Sequence, residues 1–218
     1  MSKNLIHVRN LNIGHKDRIL YNDINFDITE GDCIMLCGAN GSGKTTLLKT
    51  LARTYDNIAM IPTRIPKIAG FTVSEFVRIS CFRHSDLGGR LSEHQEKALQ
   101  EALERSGTAH LASRDLSTLS DGEFQKAGIA AAIARKAPII LLDEPTAFLD
   151  TENRIAVLKC IRHICTSTET PAAVIFSTHD LTEGLETANK VFALGADGIF
   201  RTSSDDMESV VKTIFRHI

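Results

Sequence analysis

The chain has 218 residues, of which 43% are hydrophobic and 24% charged, and its formal net charge is -2. That length can bury a core without disulfides or a structural metal, and the composition excludes collagen-like, mucin-like and disordered chains. With 25 Lys and Arg against 27 Asp and Glu, no basic excess draws the chain onto nucleic acid or anionic lipid.

The first thirty residues read as strands. Ile24, Phe26 and Ile28 alternate with Asn25, Asp27 and Thr29, so one face is buried and one is wet. Residues 5–11 and 18–21 are expected partners in an antiparallel sheet. Gly31 and Asp32 turn the chain into the apolar run 33–37, as expected of a strand covered on both faces. A glycine-rich turn follows, then helical spacing over 45–52. From about 70 to 137 the chain reads as helical, with no strand. Ser92 and Gln95 form a capping-box pattern, Ala98, Leu99, Ala102 and Leu103 supply an apolar stripe, and Gly107 is a C-cap. A further helix is expected over 122–137, with Arg135 and Lys136 at its negative end and Pro138 as its stop. Strand and helix then alternate: strand 139–142, helix 151–164, strand 172–176, helix 181–188, strand 191–194. Alternation of this kind implies a parallel sheet with helices on its faces. The fold class is therefore α/β, one domain over 1–218 with a helical insertion at about 70–137.

Five cysteines, Cys33, Cys37, Cys81, Cys160 and Cys165, lie in mostly apolar or helical surroundings. Their spacings do not complete a zinc site, and small buried thiols in a reduced compartment are expected. No apolar h-region follows Met1. No apolar run approaches the ~20 residues of a membrane span.

Gly38-Ala39-Asn40-Gly41-Ser42-Gly43-Lys44-Thr45 matches the phosphate-loop pattern in full, between a buried strand and a helix. Its glycines let successive backbone N–H groups turn inward around phosphate oxygens, and the helix that follows aims its positive end at the same place. Lys44 is expected to reach the β- and γ-phosphates and the Thr45 hydroxyl to ligate Mg²⁺. This loop alone does not choose among ATPases, GTPases and kinases. Ile139-Ile140-Leu141-Leu142-Asp143-Glu144 is an apolar strand ending in two acids. Asp143 is expected beside the loop, holding Mg²⁺ through water, with Glu144 placed to polarise an attacking water.

Between these motifs, Leu119-Ser120-Asp121-Gly122-Glu123 opens a helix. The order of the three resembles the ATP-binding-cassette family, whose signature is usually Leu-Ser-Gly-Gly-Gln. Pro145-Thr146-Ala147-Phe148-Leu149-Asp150 is similar to that family's D-loop, with Asp150 as its acid, and Ser177-Thr178-His179-Asp180 to its switch region, with His179 as γ-phosphate sensor. The resemblance covers essentially the whole chain. It implies a phosphate-loop core of cassette-ATPase type, with an N-terminal antiparallel β subdomain and an inserted α-helical subdomain.

The resemblance also implies ATP and Mg²⁺, with ATP held by His15, Gly38, Asn40, Gly41, Ser42, Gly43, Lys44, Thr45 and Thr46. Thr45 and Asp143 are the implied metal residues, and Lys44, Glu144 and His179 the implied catalytic ones. Two such chains pack head to tail, so Leu119, Ser120, Asp121, Gly122 and Glu123 would serve the partner's ATP. The motif variants look like the ATPase subunits of iron-siderophore, haem and vitamin B12 importers, and Phe71-Thr72-Val73-Ser74-Glu75-Phe76-Val77 and Gly89-Arg90-Leu91-Ser92 support that comparison. The implied partners are transmembrane permease subunits, docked on the surface between 71 and 107, and indirectly a cargo-binding protein, with no nucleic acid. The implied location is the cytoplasmic face of the cell membrane. The alternative is a soluble cassette ATPase of cofactor assembly.

Three departures stand out. Thr63 occupies the place of the family's glutamine after the strand at 58–61; its hydroxyl keeps an oxygen for metal or water but reaches less far. His15 stands where an aromatic stacks on adenine; it is either a weaker stacking partner or a surface-turn residue. Asp121 and Glu123 put acids where the common signature has Gly and Gln, and an ionised Glu123 can accept but not donate a hydrogen bond from a sugar.

Overall fold

A sheet covered on both faces organises the chain. The computed structural model describes residues 3–15, 18–81, 91–167 and 171–215, with the His15 side chain outside that description. Among the described residues the order is β1 (Asn4–His15), β2 (Arg18–Thr29), β3 (Cys33–Gly38), α1 (Lys44–Thr54), β4 (Ile58–Ile61), α2 (Val73–Cys81), α3 (Glu93–Arg105), α4 (Asp121–Ala134), β5 (Ile139–Leu142), α5 (Thr151–Thr166), β6 (Ala173–Ser177), α6 (Leu181–Thr187), β7 (Lys190–Leu194), β8 (Phe200–Ser203) and α7 (Met207–Phe215). The strands form a hairpin, β1–β2, and a sheet in the order β4-β5-β6-β3-β7-β8. Within that sheet only the β7–β8 pair is antiparallel.

Successive side chains of the central strands enter two different cores, as the pleat requires. Cys33, Met35 and Cys37 face one core while Ile34 and Leu36 face the other; Ile140 and Leu142 are divided in the same way from Ile139 and Leu141. Leu47, Leu48 and Leu51 of α1 and Val8, Ile24 and Phe26 of the hairpin complete one core. The helical elements α2 to α5 and α7 complete the other. All five cysteines are buried free thiols, as the sequence predicts.

The hairpin is longer than the alternation suggests. Register shifts between Val8 and Leu11, Leu11 and Ile13, and Ile13 and Gly14 interrupt the period of two and hide one continuous strand. The helical stretch contains α2, α3 and α4 together with short 3₁₀ turns at Ala109–Leu111 and Leu116–Thr118. The predicted capping box is present: Gln95 N–H donates to Ser92 Oγ (3.3 Å) and Ser92 N–H to Gln95 Oε1 (2.8 Å). Helix α4 stops at Ala134, short of the expected 137, because Lys136 takes a left-handed φ of 54°. Strand β8 and helix α7 lie beyond the last predicted strand. No described helix is long and apolar enough to cross a membrane.

The parallel strands all run out at one edge of the sheet. Strand β3 ends at Gly38, β4 at Ile61, β5 at Leu142 and β6 at Ser177. In open α/β sheets the loops beyond these carboxyl ends form the ligand crevice.

Candidate functional site

The turn from β3 into α1 supplies the phosphate loop. Gly41 and Gly43 have φ of 75° and 103°, the left-handed region that an L side chain resists. A Cβ on Gly41 would meet nothing within 4 Å, so the glycine is there for backbone shape and not for packing. A Cβ on Gly38 would lie 2.6 Å from Ser42 Oγ and 2.9 Å from Leu194 O, so this one is fixed by close approach. Helix α1 begins without a side-chain cap and without an acid in its first turn. Its first N–H groups therefore remain for an external anion. Ser42 Oγ is buried with no hydrogen-bond partner among the described residues. This donor set fits a polyphosphate.

Lys44 is 6% exposed, and its ammonium donates to Gly38 O (2.9 Å) and Ala39 O (3.3 Å). Burial lowers its pKa, and the nearby Glu144 and Asp143 carboxylates partly oppose that shift. Beside the loop, a cavity of about 240 Å³ opens between Ala39, Asn40, Gly41, Arg18, Tyr21 and Gly195. Tyr21 Oη donates to Gly195 O (2.8 Å) and fixes one wall. His15 closes the β1–β2 ladder opposite Arg18, but its side chain lies outside the described residues.

One network joins the loop to the two acids. Thr45 Oγ1 donates to Asp143, with its oxygens at 2.8 and 3.1 Å. Ser177 Oγ donates to Asp143 Oδ1 (3.0 Å) and accepts from Glu144 N–H (2.8 Å). Asp143 is 4% exposed. With the Thr45 hydroxyl it presents hard oxygens of the kind that Mg²⁺ takes, the rest of such a shell being phosphate and water. Glu144 has φ of 52°, which turns its side chain out of the strand direction, and Glu144 Oε1 accepts from His179 Nε2 at 2.5 Å. Lys44, Thr45, Asp143, Glu144 and His179 thus meet at one sheet edge, whereas Thr63, two residues past β4, is half-buried and makes no hydrogen bond among the described residues.

The segment 119–123 is built differently. Ser120 caps α4: its Oγ accepts from Glu123 N–H (3.2 Å), while Glu123 Oε2 accepts from Ser120 N–H (2.8 Å). That hydrogen bond holds the Glu123 carboxyl below its ordinary pKa. It also commits one of the oxygens that the sequence left open for a sugar. Ser120 and Asp121 are exposed, and Gly122 is buried. A Cβ on Gly122 would collide with the Asn153 amide, and Asn153 is held by Asp150 through its backbone N–H (2.8 Å) and side-chain amide (3.0 Å). Glycine at 122 thus lets the start of α4 pack on the start of α5, and Asp150 is the N-cap of α5. No hydrogen bond among the described residues joins 119–123 to 38–46.

A family model described as ABC transporter matches residues 21–147, which spans the phosphate loop, the 119–123 segment and both acids. The chain belongs to the ABC transporter family. It is an ABC ATPase subunit that binds and hydrolyses ATP. The "Iron(3+)-hydroxamate import ATP-binding protein FhuC" of Bacillus subtilis is 30% identical over 88% of this ABC ATPase and 79% of its own length. The "Molybdate import ATP-binding protein MolC" of Haemophilus influenzae is also 30% identical, over 87% and 78%. Among solved structures, a transporter described as of metal-chelate type, in an inward-facing conformation, superposes with a TM-score of 0.85 at 27% identity, covering 98% of this chain and 90% of that one.

Several contacts that shape the ABC ATPase site escape a sequence reading, although Ser177 and Phe148 lie within the switch and D-loop motifs. Ser177 bridges Asp143 and Glu144 from a strand 34 positions away, and an apolar strand's last residue gives no signal for that role. Phe148 is 74% exposed and has φ of 66°, unusual for a bulky residue, and the Arg64 guanidinium lies 5.1 Å from its ring centroid. Lys67 donates to Leu119 O (2.9 Å) and Asp121 Oδ1 (2.7 Å).

Proposed function

We propose that this ABC ATPase is the motor subunit of an importer, working as a head-to-tail dimer in which each ATP lies between the Lys44 loop of one copy and the Ser120 segment of the other. The observation that carries the reading is the division of labour between the two regions. The Lys44 loop has its metal-binding and water-activating partners around it, whereas Ser120 and Asp121 face solvent with no bond to that loop.

Mg²⁺ would be held by Thr45 and Asp143 and would neutralise charge on the β- and γ-phosphates. Lys44 and the loop N–H groups bind the phosphates. Glu144 takes a proton from the attacking water at its carboxylate, and His179 holds that carboxylate in position and faces the γ-phosphate. Ser120 Oγ still has its proton to donate to a phosphate oxygen, because in the cap it only accepts.

The membrane partners would dock on the surface between 71 and 107, of which 82–90, with Gly89 and Arg90, lies outside the described residues; Ile68, Phe71 and Ile79 expose apolar side chains at or near its start. The cytoplasmic face of the membrane is the corresponding location, with a cargo-binding protein engaged only through the permease. The names of the iron-hydroxamate relative and the metal-chelate transporter favour a chelated metal as cargo. Isolation of the tagged chain from solubilised membranes tests the reading. A co-purifying polytopic permease supports it. Recovery only from the soluble fraction, with ATP hydrolysis intact, overturns the transport half.

A further inference from the structure

The start of α4 poses an electrostatic problem. Two acids, Asp121 and Glu123, stand in its first turn. Carboxylates there favour the helix, but they repel any phosphate brought to the same N-terminus. Each acid meets one cation. Arg114 Nη1 lies 3.4 Å from Glu123, and Lys67 Nζ lies 2.7 Å from Asp121. Arg114 also donates to Thr118 O (2.9 Å), but it comes from the neighbouring segment, whereas Lys67 reaches Asp121 from 54 positions away. Lys67 also donates to the carbonyl of Leu119, a buried core residue, and its ammonium lies 5.6 Å from the Phe124 ring centroid. It comes from the segment 62–70 that follows β4 and contains Thr63. Ile65 of that segment seats on α4 where Gly128 has no side chain, since a Cβ there would lie 3.0 Å from Ile65 Cδ1.

We infer that Lys67 is a positioning residue for the phosphate-binding end of α4: it neutralises Asp121 and ties the Ser120 segment to the exit of β4. The inference rests on the shared-site reading above. An exposed ion pair of this kind contributes little to folding, because Asp121 is 69% exposed. The consequence of losing it should therefore appear in turnover and not in stability. Movement of the segment after β4 would be passed to Ser120 through the same ammonium.

The test is ATP turnover by K67M, K67R, D121N and K67M/D121N, with binding of a fluorescent ATP analogue to each single chain at low concentration. Leaving the Asp121 carboxylate unscreened against phosphate in the assembled site should lower kcat of K67M by about tenfold. Melting temperature and nucleotide affinity should stay as in the native chain, and K67R should be near native. The decisive variant is K67M/D121N. With the acid neutralised there is no repulsion to screen, so turnover should recover most of the loss, which a purely structural tether would not do. K67M at native turnover, or K67M/D121N as slow as K67M, overturns the inference. The shared-site reading is tested separately by E144Q, which should dimerise on adding ATP. If E144Q binds ATP and stays monomeric, that reading falls and takes this inference with it. If E144Q dimerises while K67M turns over normally, only the role of Lys67 falls.

Discussion

The N-termini of α1 and α4 are furnished in opposite ways. Helix α1 starts at Lys44 with no side-chain cap and no acid in its first turn. Helix α4 starts with a complete capping box and two acids. The first end leaves its donors and its dipole to the ligand. The second satisfies much of its own demand and is stable without one. The phosphate loop is thus furnished as a site by itself, whereas on the proposed reading the signature is a surface that would become a site when a second molecule brings phosphate to it.

The sharpest way to break that comparison is Glu144→Gln. The amide keeps the shape but takes no proton, so hydrolysis should fall by about 10²–10⁴-fold while ATP still binds. Light scattering after size exclusion should then show an ATP-driven shift to dimer, by mass action on the bridged nucleotide, and adding Ser120→Arg should abolish it. A tightly ATP-bound monomer at high concentration would mean that the signature is not half of a site.

Lys44→Met attacks the other end. Turnover should drop by roughly 10²–10³-fold as a positive charge near the γ-phosphate is lost, and native turnover in the variant would sink the phosphate-loop assignment. The same variant carries a pH signature without nucleotide. Burial holds the Lys44 ammonium below the ordinary lysine value of 10.5. The unfolded chain then binds more protons than the folded one between the lowered pKa and 10.5, so this group's contribution to stability rises with pH across that window and is flat above it. Denaturant titrations at alkaline pH should show that rise in the native chain and a flatter profile in Lys44→Met. Equal slopes would remove the case for a strained, charged Lys44.

Asp143→Asn should be more damaging to Mg²⁺-dependent turnover than Thr63→Ala. Asp143 brings a formal charge and bonds to Thr45 and Ser177, while Thr63 has no bond in the network. Rates across a Mg²⁺ titration decide it, and equal losses would make Thr63 a ligand. The smallest effect is expected at the capped end. Ser120→Ala removes a cap worth about 1 kcal/mol, so the melting temperature should fall by roughly 2–4 °C. An unchanged melting temperature would show that α4 does not depend on its capping box.

Much of the phosphate-loop region was legible because its signals are contiguous. Eight neighbouring residues, a buried strand before them and a helix after them carry the whole feature, and the acid pair needs only one apolar strand ending in Asp143 and Glu144. The signature could be found by resemblance, but its electrostatics could not be read. Lys67 and Asp121 are 54 positions apart and meet because Ile65 seats on a glycine of α4. Asn153 explains Gly122 only once α5 is laid beside α4. The hairpin's length was hidden for a different reason: bulges break the alternation on which a strand reading depends. Helix α7 has apolar Val210, Val211 and Ile214 for the core, but it follows a short antiparallel strand in place of the expected alternation.

The buried thiols make the chain its own recorder of local opening. Burial pushes the Cys37 thiol up to about 12 and that of Cys160 up to about 11, and it raises Cys81 as well. The thiolate is the form that reacts with alkylating reagents, so none of these should be modified while its surroundings stay closed. Each reports on a different element, since Cys37 lies in the strand that feeds the phosphate loop, Cys81 ends α2 and Cys160 lies within α5. The order in which the three become labelled would trace which element breathes first, and nucleotide should delay Cys37 more than Cys81.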